Sequence, residues 1–106
     1  MSSEDPKHAV LPDAWRYEIV GLQLELDPEN GQEPFLDLTL RLDGTRLTLR
    51  FFSPQNIEIE EGGPVSGGFT ILDVSHRQLD GLSVRVDDYE ARRGSLRFWA
   101  RDVVPI

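Results

Sequence analysis

The sequence contains no cysteine and a single methionine among 106 residues. Disulfides, thiolate metal sites and cysteine nucleophiles are therefore excluded, and with them the stapled scaffolds of small secreted proteins. Histidine is scarce: His8 and His76 are the only side chains that titrate near neutrality by their ordinary pKa. No apolar run approaches the ~20 residues of a membrane-spanning helix. The opening MSSEDPKHAV carries two acids and lacks the apolar stretch of a secretory signal, so a cytoplasmic location and no membrane contact are expected. No window shows the i, i+3, i+4, i+7 pattern of a long amphipathic helix.

Positive charge is also in deficit. Nineteen acids against eleven bases give a formal charge of −8, and Lys7 is the one lysine. Residues 1–61 hold thirteen acids and five bases, whereas residues 62–106 hold six of each. Nucleic-acid binding rests on Lys and Arg displacing counterions from phosphates, so this balance argues against it and favours a basic protein partner.

What the sequence does have is leucine, valine and isoleucine in alternation. The length fits one domain, read as a flexible N-terminal arm over residues 1–14 and a single β domain over residues 15–106. Leu22, Leu24 and Leu26 alternate with Gln23, Glu25 and Asp27, while Tyr17 and Ile19 run in the other phase, which predicts a β-bulge at Val20-Gly21. Leu36, Leu38 and Leu40 are separated from Leu47, Leu49 and Phe51 by Asp43-Gly44, a strong two-residue hairpin signal. That turn places Leu40 opposite Leu47, Leu38 opposite Leu49 and Leu36 opposite Phe51, with Asp37 facing Arg50 and Arg41 facing Arg46 across the other side.

An acidic strand, Asn56 to Glu60, is expected beside the Arg46–Arg50 strand to relieve the like-charge pair. EGGPVSGG over 61–68 reads as a mobile loop, Phe69 to Ser75 as a buried strand, and His76 to Gly81 as a turn or single helical turn. Leu82, Val84 and Val86 then pair with Ala100, Phe98 and Leu96. Seven to eight short strands indicate an all-β, antiparallel sandwich or partly open barrel.

Candidate chemistry is sparse. Asp73, Ser75 and His76 are the residue types of a hydrolase triad, but neighbours on a strand point to opposite faces. Gly62-Gly63 and Gly67-Gly68 lack the lysine and helix start of a phosphate loop. The acidic turns Asp27 to Gly31 and Asp87 to Glu90 lack calcium-loop spacing. No metal or cofactor is expected. On the last strand, Arg97, Trp99 and Arg101 share the face opposite Leu96, Phe98 and Ala100, with Arg85 placed across from Arg97. Arginine and tryptophan are enriched at binding hot spots, although a packed face is the alternative. Glu58, Glu60 and Glu61 complete the candidate partner-binding set, as acids that would steer a basic partner.

The stretches LTLRFFSPQNIEIE, ILDVSHRQLDGLSVRV and GSLRFWARDVV, spanning residues 45–104 and including Phe51, Ile57, Asp73, Phe98 and Ala100, resemble small uncharacterised bacterial all-β domains. Some of these look like immunity proteins of toxin–immunity systems. The resemblance implies a non-enzymatic binder that covers a toxin's active site. The alternative left open is a small-ligand-binding barrel or a hydrolase using Asp73, Ser75 and His76.

Overall fold

In the computed structural model, which describes residues 5–29, 31–59, 69–88 and 96–106, the chain forms eight strands in two antiparallel four-stranded sheets. They are β1 (Glu18–Glu25), β2 (Phe35–Leu42), β3 (Thr45–Phe52), β4 (Gln55–Ile59), β5 (Phe69–Asp73), β6 (Val84–Asp88), β7 (Leu96–Ala100) and β8 (Asp102–Pro105). The first sheet runs β1-β2-β3-β8 and the second β4-β7-β6-β5. The sheets stay open and do not close into a barrel. The Gly-rich loop over 61–68, and with it Glu61, lies outside the described residues, as does Glu60.

The β2–β3 hairpin has the expected register, with Leu36, Leu38 and Leu40 opposite Phe51, Leu49 and Leu47. Asp43 and Gly44 both adopt positive φ, 52° and 79°, the backbone of a tight turn that matches strand twist. The bulge in β1 is present between Ile19 and Gly21. Glycine eases the approach there: a Cβ on Gly21 would sit 3.3 Å from the Thr39 Cβ, so the facing strand would have to give by a few tenths of an ångström.

Two strand placements correct the sequence reading. β4 does not join Arg46–Arg50; it pairs with β7 in the other sheet. Alternation assigns a face but not a neighbour, and Arg41 is relieved instead by Glu18 of β1. The β6–β7 register is also two residues away from expectation: Val84 faces Ala100 and Val86 faces Phe98. A two-residue slip leaves every side chain on its original face, so burial alone cannot choose between the registers. Cross-strand chemistry can, because the observed one puts Arg85 opposite Trp99 rather than Arg97.

The N-terminal segment, expected to be a free arm, is docked from Asp5 onward. Lys7 bridges to Leu72, the His8 amide donates to the Ile71 carbonyl and the Asp73 amide to the Pro6 carbonyl, both at 2.8 Å. Leu11 and Ala14 are buried in the core. Segment 6–8 thereby covers the edge of β5, satisfying backbone groups that an open edge would leave to water.

Among the eight strands the chain passes between sheets twice, at Ser53-Pro54 and at Arg101, and the crossings lie side by side. Phe52 faces Asp102 on one side of the bend, and Gln55 faces Trp99 three residues farther along both chains, so the ladder keeps its register through the corner. The Arg101 amide donates to the Phe52 carbonyl at 2.8 Å. Ser53 turns the corner with φ of 49°. Just inside it, Phe51 of the first sheet meets Phe98 of the second edge to face, with centroids 5.0 Å apart and planes at 88°. Both rings are fully buried.

Truncating either ring leaves a cavity between the sheets. Phe51→Ala and Phe98→Ala should each lower stability in urea denaturation by about 3–5 kcal/mol. The double variant should cost less than their sum by about 0.5–1.5 kcal/mol, the edge-to-face coupling.

Candidate functional site

The outward face of the second sheet gathers four of the candidate partner-binding residues. Val84, Val86 and Asp88 on β6, and Leu96, Phe98 and Ala100 on β7, are buried, so the intervening Arg85, Asp87, Arg97 and Trp99 face outward. Asp87 holds both arginines: its Oδ2 lies 3.0 Å from Arg85 Nη2 and its Oδ1 3.2 Å from Arg97 Nε. Arg97 also reaches Glu58 Oε2 of β4 at 3.9 Å. The Arg85 guanidinium stands over the Trp99 indole, 4.9 Å from the ring centroid.

This ladder, Glu58 to Arg97 to Asp87 to Arg85 to Trp99, crosses three strands and fixes the rotamers of otherwise flexible arginines. Trp99 is half-buried and lies between two shallow depressions. One, of about 430 Å³, is bounded by Asn56, Glu58, Arg85 and Arg97, and the other, of about 420 Å³, by Gln55, Arg77, Leu79 and Leu82. An indole flanked by two recesses, with its cation already in place, offers an aromatic anchor at little entropic cost.

Arg101 does not belong to this face. Alternation breaks at the bend: Ala100 and Val103, three residues apart, are both buried. Arg101 turns to the corner, where it pairs with Glu33 through two nitrogens and lies 5.5 Å from the Phe52 ring centroid. The bonds from Arg101, and then that from the Ser53 hydroxyl, hold the Glu33 carboxyl below its usual range, against a smaller opposing effect of burial. Glu58 is exposed and pairs with Arg97 rather than with Arg46 or Arg50.

Asp73, Ser75 and His76 come close together but not in triad order. Ser75 to Arg77 form a single 3-10 turn after β5. The Ser75 hydroxyl donates directly to Asp73 Oδ1 at 2.6 Å, and its amide donates to the same oxygen at 2.9 Å. Chiefly through that hydroxyl, these bonds hold the Asp73 carboxyl below its ordinary range. The His76 ring pairs elsewhere, its Nε2 lying 3.2 Å from Asp5, whose carboxylate also takes two hydrogen bonds from Arg77. The serine hydroxyl thus donates to a carboxylate, and among the described residues it makes no hydrogen bond to either imidazole, the bond by which a triad would remove its proton.

Among the described residues, no three His, Asp or Glu side chains converge to hold a metal ion, and no helix is long and apolar enough to cross a membrane. Asp87, in one of the acidic turns weighed for calcium, is taken by the two arginines. The role of Asp87 was missed in the sequence, although its alternation with Arg85 placed it on the right face. Gln55 was missed because its proximity to Trp99 depends on the bend. No family model matches the chain, and neither a curated protein nor a solved structure matches it.

The pH dependence of stability follows from Glu33 and Asp73. Both carboxyls titrate lower when folded than unfolded, so their stabilisation is present above the ordinary carboxylate range and is lost as pH falls through that range and below. Glu33→Gln should lower the neutral-pH unfolding free energy from urea denaturation slightly, by no more than about 1 kcal/mol because the pair is solvent-screened. It should also make the midpoint fall less steeply between pH ~5 and ~3 than in the parent chain.

Proposed function

We propose that this chain is a non-enzymatic protein-binding module that engages its partner through the outer face of the second sheet, with Trp99 as anchor and Arg85 and Arg97 as oriented polar contacts. The observation that carries the reading is Trp99 itself, half-buried between two depressions with a guanidinium stacked on it. The sharpest version is an immunity-like role, in which this surface covers the active site of a toxin, and a basic partner suits the chain's charge of −8.

Two features weigh against the other readings. The sheets are open and their interior is filled by Phe51, Phe69, Phe98 and the leucines, so a ligand-holding barrel has no lumen. The triad types are arranged with serine on Asp73 and histidine on Asp5.

The test partner is a protein that copurifies with this chain, or the product of an adjacent toxin-like reading frame where the genome carries one. Trp99→Ala should weaken that complex by at least about 2 kcal/mol, roughly thirtyfold, while lowering stability in urea by only about 1–2 kcal/mol, so that the variant stays folded. His76→Ala should leave binding intact. Equal affinity for the parent and Trp99→Ala chains, or activity against a substrate that disappears with His76→Ala in a folded variant, would overturn the reading.

A further inference from the structure

The two sheets treat their edges differently. The edge of β5 is covered by segment 6–8, and β4 carries an irregular stretch at Asn56, whose φ is 53°. β8 is four residues long and ends at Pro105. These are the usual ways of blunting an open edge. β1 is eight residues long and, among the described residues, pairs with β2 alone. Its bulge at Val20 interrupts the first half, but Gly21 to Glu25 run in regular register.

This stretch also carries an uncovered apolar row. Leu22 and Leu24 lie opposite Leu38 and Leu36 and so face the core side of the sheet, yet they are 37% and 38% exposed, and Leu26 beyond them is 67% exposed. Leu36 and Leu38, one strand inward, are fully buried. The second sheet therefore stops short of β1.

Charge indicates what would complete this edge. Every described arginine except Arg46 is engaged by a carboxylate. By contrast, Glu25, Asp27 and Glu29 form no ion pair among the described residues, and they line one depression of about 370 Å³ with Gln32 and Phe35 at the end of β1. On β1 itself, leucines occupy one side and Gln23 and Glu25 the other. A second copy would bring the same carboxylates and another charge of −8 to the same place.

We propose that the free edge of β1 accepts an extended segment of a partner protein in which apolar and basic residues alternate. The segment adds as a ninth strand: its backbone pairs with Gly21 to Glu25, its apolar side chains cover Leu22 and Leu24, and its lysines or arginines meet Glu25 and Asp27. This surface is distinct from the Trp99 face, and the proposal does not depend on that reading.

The probe is a capped octapeptide of strictly alternating valine and lysine. Its controls are a peptide of the same composition in two blocks and an alternating peptide N-methylated at every valine. Titrated into the ¹⁵N-labelled chain at concentrations up to about millimolar, the alternating peptide should shift the amides of Gly21 to Glu25 and slow the hydrogen exchange of those that point to the free edge, Leu22 and Leu24. Glu25→Gln/Asp27→Asn should weaken it about tenfold, while Trp99→Ala leaves it unchanged. The block and N-methylated peptides should bind at least about tenfold more weakly. The proposal is overturned if the block peptide binds equally well, if the protected amides lie away from β1, if the alternating peptide does not bind, or if the chain alone self-associates through β1 in sedimentation.

Discussion

The arrangement depends on a continuous two-stranded ladder that is folded at a corner. β3 and β4 form one arm, β7 and β8 the other, and they stay paired in one register from Leu49 and Pro105 to Gln55 and Trp99. The corner is held by the left-handed backbone of Ser53, the Arg101 amide on the Phe52 carbonyl, and Glu33, which receives bonds from both Ser53 and Arg101. Folding the ladder turns its two halves into members of opposing sheets, and Phe51 and Phe98 meet inside the fold. Strands that change sheets through bends are a recognised route to such corners. The hydrophobic contact rewards closing the corner, and the polar network fixes its angle.

The candidate site is a consequence of that bend. The change of phase at Arg101 sends this side chain to the corner and leaves Trp99 facing outward, with Gln55 across from it. Farther along, a second register shift between Gln55 and Glu58 places Glu58 against Arg97. The ladder of charges then ends on the indole. None of these partly exposed pairs contributes much stability by itself. Their combined effect is orientation, since Asp87 tethers two long side chains whose free rotamers would otherwise obstruct the surface around Trp99.

The sequence disclosed the local geometry well and the long-range geometry poorly. Asp43-Gly44 signals a hairpin because both residues accept the positive φ of a tight two-residue turn, and that turn fixes six facing apolar residues at once. Gly21 marks the bulge because the other strand presses on it. Period-two alternation, however, says which way Ile57 and Glu58 point without saying which strand lies beside them, so β4 was placed in the wrong sheet. The β6–β7 connection is longer and does not dictate register, and only the pairing of Arg85 with Trp99 separates two equally apolar alternatives. Arg101 looked like the third member of an outward row because a bend by non-glycine residues leaves little trace in composition. The alternation of Leu22 and Leu24 gives no sign that they stay uncovered, since the reach of the opposing sheet is not written in β1.

Native-state amide hydrogen exchange tests the folded ladder most directly. If the corner makes the two arms one cooperative unit, the ladder amides of β3 and β7, including those of Phe51 and Phe98, should exchange with a common opening free energy and a common denaturant dependence. A distinctly lower opening free energy for β7 than for β3 would contradict the account, because the Trp99 face would then belong to a sheet that opens independently of the corner said to position it.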